Sequence, residues 1–353
     1  MRIVTVRKFI YLLTFLFVLS GCVHQWPEPA EAGLVLNLEF ETELPQGPVL
    51  DMETKASTSP ESYDVRYVVE AYEYKSDGTY ADDAPYARFV ETKDDVTSPD
   101  HTLNLDIMEG KYLIRVWADY VDAGSEAHKF YNTDNFRYVK LFGRDEGVAH
   151  EGNNDFRDAF IGSAEVEVIR FGGHHPPVSE TILMKRPLSK VVFITNDLSD
   201  WKTKVIISRY ESALQGTRSE EDGEVDVSHV VDLNDYTVKV HYPQYMPNAF
   251  NIASDRTTWS DANVTFSTSL IQLSEDEASM GFDYVFANSE DANVVMAVSL
   301  HDKNGVQLSR SRDITVPLER GKVTTVKGSF LLEESDGGVS INPDFDGEFN
   351  IIL

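Results

Sequence analysis

From residue 34 onward the sequence is a succession of short apolar segments with a period of two, each closed by Gly, Pro, Asn or Asp. That pattern admits strands and little else. Leu34–Phe40 alternates from Leu36 on, and Val65–Tyr74 is dense in β-branched and aromatic residues, with Ser76-Asp77-Gly78 as its turn. His101–Ile107 alternates strictly, Glu109-Gly110 turns, and Lys111–Asp119 returns, which predicts a hairpin. Further strands are predicted at Ala159–Ile169 and Thr181–Lys185. Residues 123–158 are polar, rich in Gly and Asn and weakly periodic, so they are expected to form a long surface excursion with one short helix.

A break comes at Lys185-Arg186-Pro187-Leu188, where a proline ends strand pairing. A new alternating set follows. Lys190–Thr195 and Lys204–Ser208 flank Asn196–Asp200, a turn or helix cap. Residues 213–230 are expected to be an acidic loop. Tyr236–Tyr242, Tyr284–Ala287 and Ala292–Leu300 are predicted strands. Asp302-Lys303-Asn304-Gly305 carries the Asn-Gly pair preferred in tight hairpins. Val306–Pro317 pairs back, Lys322–Leu332 adds a strand, and Phe349–Leu353 ends the tail. The expected class is all-β, in two tandem β-sandwich domains of immunoglobulin-like kind, 33–186 and 187–353. No strand–helix alternation supports a doubly wound or barrel α/β fold.

The first 22 residues are of another kind. Arg2, Arg7 and Lys8 precede an almost wholly apolar run, Phe9–Leu19, and Ser20-Gly21 lead into Cys22. That is the order of a secretory signal. The run is shorter than the ~20 residues of a comfortable membrane span. Its ending resembles a bacterial lipobox, which implies a signal peptide of residues 1–21, fatty acylation (palmitate-type chains) of Cys22 and a new N-terminus there. Cys22 is the single cysteine of 353 residues, so it forms no internal disulfide. Residues 22–32, with Pro27 and Pro29, read as a tether. Loss of Arg2, Arg7 and Lys8 takes the net charge of −28 to about −31. Such a chain repels nucleic acid and anionic headgroups, so membrane attachment falls to the acyl chains.

Catalytic signals are lacking: there is no Gly-x-Ser-x-Gly elbow, P-loop, His-Glu-x-x-His or Gly-x-Gly-x-x-Gly, and no enzyme, cofactor or metal is expected. His174-His175 sits in a Gly/Pro loop, and neighbouring histidines make a poor chelate. Asp82-Asp83, Asp94-Asp95 and Asp344–Glu348 match no calcium-loop spacing. Trp201, Trp259 and the Tyr236/Tyr242/Tyr245 region are candidates for a sugar-stacking platform. Trp117 falls within an alternating strand and reads as core, and Trp26 lies in the tether.

Several segments carry a family resemblance: Tyr63–Tyr72, Arg186–Lys190 with Asn196-Asp197-Leu198, Asp235–Asn251, Val316–Phe330 and Ile341–Asn350. Together they resemble the fimbrillin-type surface lipoproteins of Bacteroidales type V pili, in the anchor-like (FimB/Mfa-like) branch, which includes a domain of unknown function. The resemblance implies two transthyretin-like sandwiches, a lipid anchor in the outer membrane, and a role as pilus anchor, subunit or adhesin. It also implies fimbrial subunits as partners, joined by β-strand addition. In shaft subunits of that family a protease removes the first strand, cutting after Arg or Lys. Lys55 and Arg66 are the candidates here, Lys55 being the more accessible by sequence. An anchor would keep Leu34–Phe40. The other reading is a glycan-binding surface lipoprotein of a nutrient-uptake system.

Overall fold

The computed structural model describes residues 33–41, 62–81, 83–94, 100–144, 147–169, 177–216, 230–289, 292–332, 340–341 and 348–352. The chain is mostly β, in several sheets. In the first, β1 (Leu34–Phe40) lies between β4 (His101–Leu105), antiparallel, and β9 (Val178–Met184), parallel. The second has the order β3 (Ala87–Lys93), β2 (Tyr63–Glu73), β5 (Gly110–Asp122), β8 (Ala159–Val168). Apolar side chains of both sheets fill one core: Leu34, Leu36, Leu38 and Phe40 meet Tyr67, Val69, Ile114, Val116 and Phe160.

The predicted hairpin of His101–Ile107 with Lys111–Asp119 does not form. β4 pairs with β1, while β5 pairs with β2 and β8. Asp106–Glu109 therefore cross from one sheet to the other. Alternation in Leu103-x-Leu105-x-Ile107 and Tyr112-x-Ile114-x-Val116 says that each strand has one apolar face. It does not say whether the two strands lie side by side or face each other across a core.

The second half builds two larger sheets. One runs β13 (Ile271–Gln272), β14 (Ala278–Phe286), β10 (Leu188–Thr195), β18 (Val323–Gly328), β20 (Glu348–Ile352), β19 (Ser340–Ile341). β18 lies parallel to both β10 and β20. The other has β16 (Gln307–Arg310), β15 (Ala292–Asp302), β11 (Tyr236–Asn251), β7 (Val139–Leu141) and β6 (Tyr131–Asn132), with β12 (Arg256–Ser269) on β11 and β17 (Ile314–Leu318) on β15. The Asn304-Gly305 turn forms as expected: the Gly305 N–H donates to the Asp302 carbonyl at 2.9 Å, and Gly305 takes φ +79°, where glycine is favoured.

Lys204–Ser208 is not a strand. It lies inside α1 (Leu198–Gly216), the one α-helix among the described residues, which also takes in the start of the expected acidic loop. Leu198 and Trp201 are buried, and Val205 and Ile206 pack on the same core. This spacing is helical, and Ile207 is left outside, 53% exposed. The short β-branched run suggested a strand only when read without its neighbours.

Residues 123–158 are not a surface excursion. Phe130, Tyr131, Phe136, Val139 and Leu141 are buried. β7 pairs with the far end of β11, Val139 opposite Phe250 and Lys140 opposite Ala249, and the Ile252 N–H donates to the Phe136 carbonyl at 2.8 Å. A segment between two strands of the first half thus completes a sheet of the second. Its single-turn 3₁₀ helix (Asp155–Arg157) is closed by the Asn154 side chain, which accepts from the Phe156 N–H. The apolar residues here follow no fixed period, because turns such as Asn135–Tyr138 (2.8 Å) separate them.

Candidate functional site

β1 sits in a slot between two strands that do not touch each other. All seven of its residues register with β9, from Leu34–Val178 to Phe40–Met184, and five register with β4. Leu34, Leu36, Leu38 and Phe40 point into the core, each worth about 1.5–3 kcal/mol of apolar burial. The Phe40 ring meets Phe160 edge-on at 4.9 Å and Tyr67 at 6.2 Å. On the outer face, Asn37 donates to Ser179 Oγ and accepts from Thr102 Oγ1, both at 3.1 Å. Past the end, the Phe40 N–H donates to Asp100 Oδ1 at 3.0 Å, the Glu41 N–H to the Met184 carbonyl at 3.0 Å, and Arg186 Nη1 to the Glu41 carbonyl at 2.6 Å. Main-chain bonds on two edges and pockets for alternate side chains are what strand addition requires of a receiving groove.

The residues singled out from sequence separate in space. Arg66 is 1% exposed, held by Asp119 through Nε at 2.9 Å and Nη2 at 2.7 Å. A protease cannot reach it in the folded chain, which removes Arg66 as a cleavage site; Lys55 lies outside the described residues. The aromatic platform does not assemble. Trp201, Tyr236 and Tyr242 are buried, as is Trp117, and of the set only Trp259 (59%) and Tyr245 (68%) are exposed. On the β11–β12 ladder Tyr245 stands opposite Ala262 and Trp259 opposite Ala249, so the two do not face each other. Cys22, Trp26, Asp82, Asp95, His174, His175, Asp344 and Asp346 lie outside the described residues. Asp83 and Asp94 are exposed. Among the described residues, no group of three or more His, Cys, Asp or Glu is placed to hold a metal ion, and no helix is long and apolar enough to cross a membrane.

What sequence reasoning missed is a buried polar cluster where residues 142–158 meet the second half. Asp283 Oδ2 lies 2.7 Å from His150 Nε2 and accepts from Tyr242 Oη at 2.6 Å; Oδ1 accepts from Arg157 Nη1 at 3.1 Å. Burial presses the Asp283 carboxyl upward, but His150 and Arg157 outweigh it and hold it below the usual carboxylate range. Burial, with Arg157 beside it, lowers the His150 imidazole below its usual range even though Asp283 acts the other way. Nearby Asp158, bound to Arg186 at 2.8 Å, is pushed up to about 6 by burial. A lone acid in the apolar run Gly281–Phe286 was the available signal. These groups are saturated by one another, and their arrangement is that of a structural joint.

In class, then, this is a mostly-β chain of several sheets with its first strand inserted between two others and its halves laced together by an internal segment. It belongs to the family of unknown function DUF6562, whose profile matches residues 30–353. No curated protein matches it. Among solved structures, the fimbrial anchor protein Mfa2 from Porphyromonas gingivalis is 12% identical, with a TM-score of 0.38 over 79% of this chain and 81% of that one. A proposed cell adhesion protein from Bacteroides eggerthii is 12% identical, TM-score 0.39, over 92% and 99%. Proposed polysaccharide-binding proteins from Bacteroides thetaiotaomicron are 14% identical, TM-score 0.42, over 78% and 78%. These are distant likenesses in chain trace, and none assigns a role.

Proposed function

We propose that this chain is a lipid-anchored structural protein of the outer membrane, a fimbrial anchor or subunit that joins its neighbours by β-strand addition. In this reading Cys22 carries the acyl chains, residues 22–32 form the tether, and 33–186 and 187–353 are two β-sandwich domains meeting at Arg186-Pro187. The observation that carries it is the slot of β1. The strand that follows the lipobox-like start is bonded along two edges and drives four apolar side chains into the core. Kept in place, it ties the anchor directly to the fold, as an anchor subunit needs. Cut away after Lys55, it would leave a groove of matching shape for another subunit's strand.

The test is a pull-down of the tagged full-length chain from gently solubilised outer membranes, with mass spectrometry and electron microscopy of the eluate. Recovery of the acylated chain with its first strand present, together with small β-rich subunits or filaments, supports an anchor. Filaments with a chain starting after Lys55 support a subunit. Recovery of a membrane transporter without filaments, or an unmodified Cys22, overturns the reading.

A further inference from the structure

The chain turns at Gly143 after β7, the Gly143 carbonyl accepts from the Val148 N–H at 2.9 Å, and Phe142 and Val148 form one lip of a cleft of about 310 Å³. Gly143 (φ +77°) allows the turn, and a Cβ there would come within 2.8 Å of the Val148 side chain. The turn holds Phe142 and Val148 at the surface, 45% and 53% exposed, although both are apolar. Behind them Phe130 lines the cleft. Around this apolar wall stand fixed polar pairs. Lys129 Nζ lies 3.0 Å from Asp122 Oδ1, and Arg144 Nε donates to Asp261 Oδ2 at 2.8 Å. Arg144 is also bonded to the Val148 carbonyl at 3.0 Å, which ties the polar rim to the apolar lip. The exposed Glu151 adds a further carboxylate at the rim.

We propose that this cleft binds a neutral sugar unit. An uncharged pyranose has an apolar C–H face and a rim of hydroxyls that each donate and accept. An aromatic ring beside carboxylate–cation pairs meets both demands, because a paired carboxylate keeps unused lone pairs and a paired cation keeps unused N–H groups. Pairing also fixes these groups before the ligand arrives, which lowers the entropy cost of binding. The volume is at the small end of the range for ligand pockets, about 300–1,000 Å³, and suits one or two rings. Neutrality follows from charge. Lys129, Arg144 and Arg157 are matched by Asp122, Asp261 and Asp283, Glu151 is in excess, and the chain as a whole carries −28. An anionic sugar is repelled. This site stands apart from the β1 slot and does not depend on the fimbrial reading.

The test is saturation-transfer NMR on the full chain in a detergent without a sugar headgroup. The probes are methyl β-glucoside, methyl β-galactoside, N-acetylglucosamine and glucuronate. At least one neutral probe is expected to receive saturation, with glucuronate weaker than its neutral counterpart. Phe142→Ala should weaken the bound probe about fivefold through loss of the ring contact. Val148→Ala, a smaller change on the same lip, should weaken it less, and Trp259→Ala should leave it unchanged. Equal melting temperatures confirm that each variant folds. Silence from all neutral probes, tighter binding of glucuronate, or a signal indifferent to both Phe142→Ala and Val148→Ala overturns the proposal.

Discussion

Strands β2 and β12 are similar in length and opposite in fate. Every residue of β2 from Tyr63 to Tyr72 is buried, including Arg66 and Glu70. In β12 only Val264, Phe266 and Thr268 are buried, and Trp259 stands in solvent. Each strand packs one face on its own half of the molecule. The difference lies in the other face. Over β2 and β5 that face is covered by residues 126–136: Tyr131 meets Trp117 at 5.2 Å, the Glu126 carbonyl accepts from Arg66 at 3.0 Å, and the Thr133 carbonyl accepts from Arg88 at 2.9 Å. Among the described residues β12 has no such cover, and bulges near Tyr242–Tyr245 and Pro247–Phe250, with Asn263 at φ +54°, interrupt its ladder with β11. Burial in a sheet is thus decided by what crosses over it as much as by the strand's own residues. Charged residues are tolerated under a cover that supplies partners, and an aromatic stays exposed where no cover comes.

The comparison is broken most forcefully at Arg66. Arg66→Ala strands Asp119 in the core with its charge unpaired, and a loss of about 3–5 kcal/mol is expected in denaturant unfolding. A loss under 1 kcal/mol would mean that the cover opens readily to water. On β12, Phe266→Ala should cost about 3 kcal/mol, at the lower end for a buried ring because one side of its strand is open. A larger loss than at Arg66 would reverse the ranking of the two strands. Trp259→Ala should shift stability by no more than about 0.5 kcal/mol, since the ring touches little that folding buries.

The joint that follows this cover, residues 142–158, carries a pH dependence. His150 binds a proton less tightly in the folded chain than in the unfolded one, so its contribution is full above the usual histidine range and is lost as pH falls below about 6.5. Asp158 works in the opposite sense. With its folded value raised from 3.8 to about 6, its contribution is full at acid pH and lost as pH rises through about 6. The two partly cancel between these limits. Asp158→Asn should therefore make stability fall more steeply between pH 6.5 and 4 than in the parent chain, as followed by thermal unfolding. An unchanged or shallower slope would show that burial does not raise the Asp158 carboxyl in the folded chain.

Much of the strand inventory was legible because one buried face writes an alternation, as in Leu34-x-Leu36-x-Leu38-x-Phe40. β3 and most of β12 were illegible, because Ala87–Lys93 and Arg256–Asn263 lack a fully buried face to write one. Partners were illegible for the same reason that faces were clear: a period of two carries no information on which neighbour lies alongside, hence the misplaced hairpin of β4 and β5. The helix was hidden by its β-branched residues 205–207, and its true period appeared only with Leu198 and Trp201 included. Of the site, the β1 strand itself was readable. The slot was not, since β9 comes about 140 residues later, and the cleft beside Phe142 is built from residues that have no period at all.

That separation gives the first strand a history as well as a place. Its antiparallel partner, His101–Leu105, follows some 60 residues behind it, and its parallel partner, Val178–Met184, arrives only as the first half is nearly complete. The earliest strand to emerge is therefore among the last to be seated. For all the time between, Leu34–Phe40 is a free sticky end, and the half-built sheet is an open berth that any strand of like pattern can reach before the chain's own strand returns to it.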